Sequence, residues 1–403
     1  MNFSEKIVLG LGGTVDYEVR WAPAALESLA RELGILVTDL TDVAEISSDR
    51  ELLISLLNFV KAGIGGERYV IDPAIIHSVA GRVPFEVTLG GTPVRAALAM
   101  AIRGVDSTVH LVSTNDETRA MLPAGTQILS SAEEDSLFPH LIVQYPANAR
   151  IDLPDGKVVS QRANRLIYTH DPPNEELLLA HDLGRALSKC SLFLMSGLNI
   201  FQDEVLLRER LGELTLSCER LPGEAVVVYE DAGFHLPEQS RIVRDKLLPY
   251  IHVYSLNEDE AQVYIARSVD LTQASDVALM IRQLREIIPA SNLLVHTHLW
   301  SVLVGPDSTR FAGPLRAAVQ MASARYLFGD SLTLDQYNSV PSFPHNASAS
   351  AIEEAVKSEV GAHCVFSPGF WLETEAPTTI GLGDSFIGGF IAEFALQDER
   401  GSG

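Results

Sequence analysis

The chain has little cysteine, little positive charge and no long apolar run, and each scarcity removes a class of protein. Its 3 cysteines, Cys190, Cys218 and Cys364, are odd in number, far apart and without CxxC spacing. A disulfide scaffold and a cysteine-based metal centre are therefore excluded, and buried reduced thiols of a cytoplasmic protein are expected. Lysine and arginine total 30 against 53 acidic residues, leaving a formal net charge of −23. Polyphosphate backbones and anionic membranes repel so acidic a chain, so neither nucleic acid nor a membrane is an expected partner. No uncharged apolar stretch has the length of a membrane span. The opening "MNFSEKIVLGLGG" enters a strand-like run without the charged-then-apolar pattern of a signal peptide. Three familiar motifs are missing as well: a Walker-type GxxxxGK(S/T), a GxSxG elbow and the GxGxxG of dinucleotide folds, whose spacing the early "GLGGT" does not match.

What is present is an ordinary globular composition. The 403 residues are 46% hydrophobic and 21% charged, enough for two domains or a large domain with a smaller appendage. Strand-like runs at 6–11, 108–113, 192–196, 225–229, 251–255, 293–297 and 300–304 alternate with helical patterns at 49–62, 92–103, 203–212, 257–267 and 274–288. The helix over 92–103 is expected to open with Thr92 as N-cap and Pro93 at its first position. Such alternation predicts an α/β fold, a mostly parallel sheet with helices on both faces. Residues 64–90 and 140–172 break the rhythm with short alternating pieces and no convincing helix, and are read as a β-rich lid. The expected division is a large nucleotide-binding domain of 1–15, 35–60, 91–139 and 173–403. The lid would comprise 16–34, 61–90 and 140–172.

Ligands of open α/β sheets bind beyond the carboxyl ends of the strands, so residues that follow strands carry most of the information. In "TIGLGDSF" (379–386), Gly381 and Gly383 permit a tight turn or a close approach to a ligand ahead of an apolar helix. Amides of Gly381, Leu382, Gly383 and Asp384 would then converge on one spot favoured for negative charge. Asp384, beside that spot, could take a proton from a hydroxyl attacking a phosphoryl group. The plain alternative is a glycine turn with an aspartate cap. In "SLNEDE" (255–260), Asn257 and Glu260 have the spacing of a capping box. They also suit a Mg²⁺ held largely through waters. Glu230 closes the preceding strand and completes a possible metal–phosphate site. His296 and His298 in "VHTHLW" would share one face of a strand but lack further metal ligands nearby.

Taken together, these stretches resemble, in order and over most of the chain, the ADP-dependent glucokinases and phosphofructokinases, the ADP-using branch of the ribokinase-like fold. "TIGLGDSF" resembles the family's GxGD signature, which implies Asp384 as catalytic base and 381–384 as the anion hole. "SLNEDE" resembles its NxxE motif, which implies that Asn257 and Glu260 serve the Mg²⁺ and phosphate network. "VYEDA" stands where the family has HxE: Glu230 matches, and Val228 replaces the histidine. The resemblance assigns Asp16 and Glu67 to the sugar. It likens "TLGGTPVRAALA", with Gly90, Gly91 and Thr92, to a Gly-Gly-Asn/Gln segment. Arg165 in "RANRLIYTHD" is assigned to a phosphate, and Thr297 to the nucleotide. The implied reaction moves the β-phosphate of ADP, with Mg²⁺, to glucose or fructose 6-phosphate. Arg95, Arg162 and Arg165, all expected near the sugar, lean toward a phosphorylated acceptor. The other readings are an ATP-using kinase of the same fold and a non-catalytic sugar- or nucleotide-binding protein. The sequence sets no oligomeric state.

Overall fold

The computed structural model describes residues 3–402 apart from 235, 362, 375 and 376. Two sheets organise the chain. The larger has nine strands, ordered β17 (Cys364–Pro368), β16 (Trp300–Val304), β15 (Asn292–His296), β14 (Val253–Asn257), β13 (Val226–Glu230), β12 (Leu192–Met195), β1 (Ile7–Gly10), β6 (Thr108–Leu111) and β7 (Gln127–Ser130). Pairing is parallel from β7 to β15 and antiparallel through β16 and β17. The expected α/β architecture is therefore found. Strands such as β12 and β13 are buried along their whole length, as a sheet covered on both faces requires. The three cysteines are free and buried.

The smaller sheet has six strands, ordered β3 (Glu45–Ile46), β4 (Gly66–Val70), β11 (Asn164–Thr169), β8 (His140–Tyr145), β2 (Thr14–Val19) and β5 (Phe85–Gly90). A hairpin of β9 (Arg150–Leu153) and β10 (Gly156–Val159) stands beside it. Register divides its two faces cleanly. Asp16 lies opposite Thr88 and His140, Gln144 opposite Arg165, and Ile167 opposite Glu67. Paired residues share a face and neighbours alternate, so Asp16, His140, Gln144, Arg165 and Glu67 lie on one side. The other side carries Val15, Tyr17, Leu141, Val143, Leu166, Tyr168 and Val70, all buried.

One expectation fails here. The 64–90 stretch holds a helix, Pro73–Ala80, between β4 and β5. Asp72 caps it by accepting from the Ala74 amide at 2.8 Å, and Pro73 opens its first turn. Its buried Ile75, Ile76, Val79 and Ala80 follow helical spacing, but β-branched residues so short a distance apart read as strand in the sequence. The helix Asp49–Ala62, most of it in the 35–60 stretch, packs on it and on β10.

Three helices, Thr92–Ile102, Ala312–Phe328 and Leu382–Ser402, pack together beside the large sheet. Gly388 and Gly389 permit that closeness: a Cβ on Gly388 would lie 2.7 Å from the Ala96 carbonyl, and one on Gly389 2.6 Å from Met321 Cβ. The packing brings the start of the last helix to the carboxyl ends of β13, β14 and β15. No helix among the described residues is long and apolar enough to cross a membrane.

Candidate active site

A cleft of about 820 Å³ opens where those strand ends meet the 381–384 turn. Gly381, Leu382, Gly383, Asp384, Thr92, Arg165, Glu230, Asn257, Glu260 and Thr297 all line it. Asp16, Glu67, Gly90 and Gly91 do not: they lie in or next to the six-stranded sheet, and Asp16 is only 3% exposed.

The turn is built by Gly381, whose φ of +66° favours glycine. A Cβ there would also sit 2.6 Å from Arg95 Cδ. The last helix starts at Leu382, and its first backbone bond runs from the Ser385 amide to the Gly381 carbonyl at 3.0 Å. Among the described residues, the amides of 381–384 meet no backbone acceptor. They are the orphan donors of a helix start, on residues that line the cleft. Asp384 does not cap its own helix. Its Oδ1 accepts a 2.7 Å hydrogen bond from the Thr92 hydroxyl. Thr92 is therefore not the N-cap of its helix: Gly91, at φ +83°, takes that position and Thr92 is the first helical residue.

One helical turn further on, Arg95 is buried, with Nη2 at 3.0 Å from Glu18 Oε1 and 3.3 Å from Asp16 Oδ2. Asp16 Oδ1 accepts from the Thr14 hydroxyl at 2.7 Å. Nη2 of Arg95 is thus committed to the small sheet's acids, while Nη1 is buried without a hydrogen-bond partner. Arg162 does not line the cleft. Arg165 does, and makes no ion pair among the described residues.

At the opposite side, β13 ends in Glu230, and Asp231 follows it. Glu230 Oε1 lies 3.0 Å from His296 Nε2, and the His296 ring stacks on Phe386 at 4.5 Å between centroids. Burial opposes a charge on His296, yet Glu230 and its neighbouring acids raise its pKa. Glu230 Oε2 is buried without a partner. His298 does not share the strand face of His296, because β15 ends at His296. It lies beyond, exposed, with Nδ1 at 2.8 Å from Glu258. Asp231 is held by the hydroxyls of Tyr229, Tyr254 and Tyr264 at 3.1, 2.8 and 2.6 Å.

The capping box at 257–260 is real. Asn257 Oδ1 accepts from the amides of Asp259 and Glu260 at 2.8 and 3.0 Å, and Glu260 Oε2 accepts from the Asn257 amide at 2.8 Å. Burial, with Asp231 and Glu230 close by, pushes Glu260 up to about 8. The Thr297 hydroxyl is occupied within its own turn, donating to the Trp300 carbonyl at 2.8 Å.

Six acids (Glu230, Asp231, Glu258, Asp259, Glu260 and Asp384) line the cleft against Arg165 and two histidines. An anionic nucleotide could enter only with a cation. The unpartnered oxygen of Glu230 and the raised Glu260 fit a divalent ion with oxygen ligands. Among the described residues no three His, Cys, Asp or Glu side chains are grouped to hold a metal directly, so such an ion would keep waters or bind with the nucleotide.

Sequence reading missed several residues here. The link between Thr92 and Asp384 spans 292 positions, and only folding joins them. His296 supports Glu230 from the next strand but one, where position 228 offers a valine. Trp371, 59% exposed, lies at the cleft beside Phe370. A tryptophan after Gly369 at a strand end was its only signal.

The family model for the ADP-specific phosphofructokinase/glucokinase conserved region matches residues 5–389. A phosphofructokinase from Pyrococcus horikoshii OT3 solved with AMP superposes with a TM-score of 0.78 at 16% identity, covering 98% of each chain. The last common ancestor of ADP-dependent phosphofructokinases from Methanosarcinales gives 0.76 at 15% identity, over 97% of this chain and 94% of that one. An ADP-dependent kinase solved with fructose-6-phosphate and ADPbetaS gives 0.69 at 14% identity, over 98% and 94%. No curated protein matches the chain by sequence.

Proposed function

The chain belongs to the ADP-specific phosphofructokinase/glucokinase family of phosphotransferases, and from that premise we propose that its cleft transfers the β-phosphoryl group of ADP to a hydroxyl of a hexose or hexose phosphate. The observation that carries this reading is the row of unpaired amides at 381–384 beside the Asp384 carboxylate. Asp384 takes the proton of the acceptor hydroxyl, whose oxygen bonds to the β-phosphorus. The bond from that phosphorus to the bridging oxygen breaks, and its electron pair leaves with AMP. The four amides donate to the oxygens of the group in transit.

Glu230 and Glu260 would hold Mg²⁺, with Asn257 fixing the Glu260 carboxyl. When bound, that ion offsets the charge of the nucleotide. Trp371, aromatic and exposed at the cleft mouth, offers the nucleotide base a stacking face. The six-stranded sheet acts as a lid, turning Asp16, Glu67 and Arg165 toward the acceptor. Contacts between described residues tie that face to the larger domain. Thr379 donates to Gln144 at 3.3 Å, Gln202 to Tyr69 at 2.7 Å, and Arg95 reaches Asp16. Among the described residues Arg165 is the arginine that lines the cleft, and Arg95 has Nη2 held by Asp16 and Glu18, so the lean toward a phosphorylated acceptor weakens.

A panel of hexoses and hexose phosphates, tested with ADP and ATP separately, decides the donor. AMP formed from ADP supports the reading; ADP formed from ATP alone replaces it with an ATP-using kinase. Asp384→Ala should lower kcat by roughly 10²–10⁴ with little change in substrate binding. Near-normal turnover in that variant removes the base. Tight binding of both ligands with no product from any pair would instead mark a binding protein.

A further inference from the structure

We infer that Thr92 is a positioning residue for the base: its hydroxyl holds one oxygen of Asp384 so that the other faces the acceptor. The inference rests on the assignment of Asp384 as base. Thr92 Oγ1 donates to Asp384 Oδ1 at 2.7 Å. No other described residue donates to either oxygen of that carboxylate. Oδ1 is therefore committed, and Oδ2 is left open on a side chain that lines the cleft.

A carboxylate on two rotatable bonds sweeps several orientations, and a proton is taken efficiently only from one in hydrogen-bond reach of the attacking hydroxyl. One fixed oxygen removes most of that freedom. Thr92 suits the task because its own position is fixed. It is the first residue of the helix Thr92–Ile102, whose next turn is anchored by the buried Arg95 at Asp16 and Glu18. A hydroxyl at that position is also short enough to sit beneath the carboxylate. In the transfer step the acceptor O–H bond breaks, its proton passes to Oδ2, and the freed oxygen forms the new bond to phosphorus. Thr92 keeps its own proton throughout and orients without entering the chemistry.

Thr92→Val removes the hydroxyl and keeps the shape, and Thr92→Ser keeps the hydroxyl. Thr92→Val should lower kcat about 10- to 100-fold while the KM values for ADP and acceptor move by less than about threefold. Thr92→Ser should restore most of the rate. Thr92→Val added to Asp384→Asn should cost little more than Asp384→Asn alone, because the partner it orients has already gone. A merely structural threonine would lower the melting temperature and penalise both backgrounds alike. The inference is overturned by Thr92→Val turning over within about twofold of wild type, by failure of serine to rescue, or by an equal loss in both backgrounds. Should Asp384→Asn itself keep near-normal turnover, the base assignment falls and this role falls with it. A lost Thr92 effect beside an inactive Asp384→Asn removes only the role of Thr92.

Discussion

The two sides of the cleft treat negative charge in opposite ways. At the corner where the Thr92–Ile102 helix meets the 381–384 turn, the acids are met by donors: Thr92 for Asp384, Arg95 and Thr88 for Glu18, and Arg95 with Thr14 for Asp16. At the rim formed by the ends of β13, β14 and β15, acids outnumber cations. Glu230 has one histidine and one bare oxygen, Asp231 needs three tyrosines, and Glu260 is pushed up to about 8. The corner is assembled before any ligand arrives, as a proton-accepting group needs if its geometry is to be reliable. The rim is left short of positive charge, and that shortage is what would draw in a metal-bearing nucleotide.

The contrast can be broken most forcefully at Arg95. Arg95→Met would leave Asp16 and Glu18 without their shared cation, and about 3–5 kcal/mol of stability should be lost in denaturant unfolding. A loss below about 1 kcal/mol would mean that the corner is not held by matched charge.

The rim offers a second test through pH. The folded Glu260 carboxyl titrates at about 8 against an ordinary value of 4.5, so between those limits the folded chain keeps a proton that the unfolded chain has released. Stability of the metal-free protein should therefore be highest below about 4.5, as far as this group is concerned. It should fall as pH rises through 8, by an amount on the order of 4 kcal/mol. Glu260→Gln should flatten that slope, and Mg²⁺ with ADP should restore the wild-type loss. A slope in the glutamine variant as steep as in wild type would show that Glu260 is not its source.

The smallest effect is expected at the outer edge of the cleft. Trp371→Ala should raise the KM for ADP by the equivalent of about 1–3 kcal/mol of lost stacking, with kcat little changed and Trp371→Phe partly restoring affinity. An unchanged KM would remove the base-stacking role and leave the account of the two sides intact.

Reading the sequence succeeded where a signal is local. The runs that became β1, β6 and β12 to β16 are continuous and apolar, and such runs mark the buried strands of a covered sheet. Glycine spacing at 381–383 announced a turn before a helix, and among the described residues the amides of 381–384 meet no backbone acceptor. The capping box at 257–260 was visible for the same reason, since both partners lie within one helical turn. Failures occurred where one pattern serves two structures. "DPAIIHSVAG" reads as strand by its isoleucines and folds as a helix because Asp72 and Pro73 start one. Thr92 looked like a cap because threonine before proline commonly is one. Its hydroxyl turned elsewhere because Asp384 stands 2.7 Å away in space.

The sequence alone determined the class of fold, the order of the motifs and the chemistry on offer: acids after strands, glycines before a helix, too few cations to bind a phosphate without help. Those are properties of residue type and near spacing. Only the tertiary structure decided the partners. It buried Arg95 against Asp16 and Glu18, set His296 beneath the 381–384 turn where Val228 could not serve, and brought the Thr92 hydroxyl to Asp384. Pairings of that kind depend on which faces two distant helices or strands turn to each other. Close packing of whole elements settles those orientations, and no local preference along the chain encodes them.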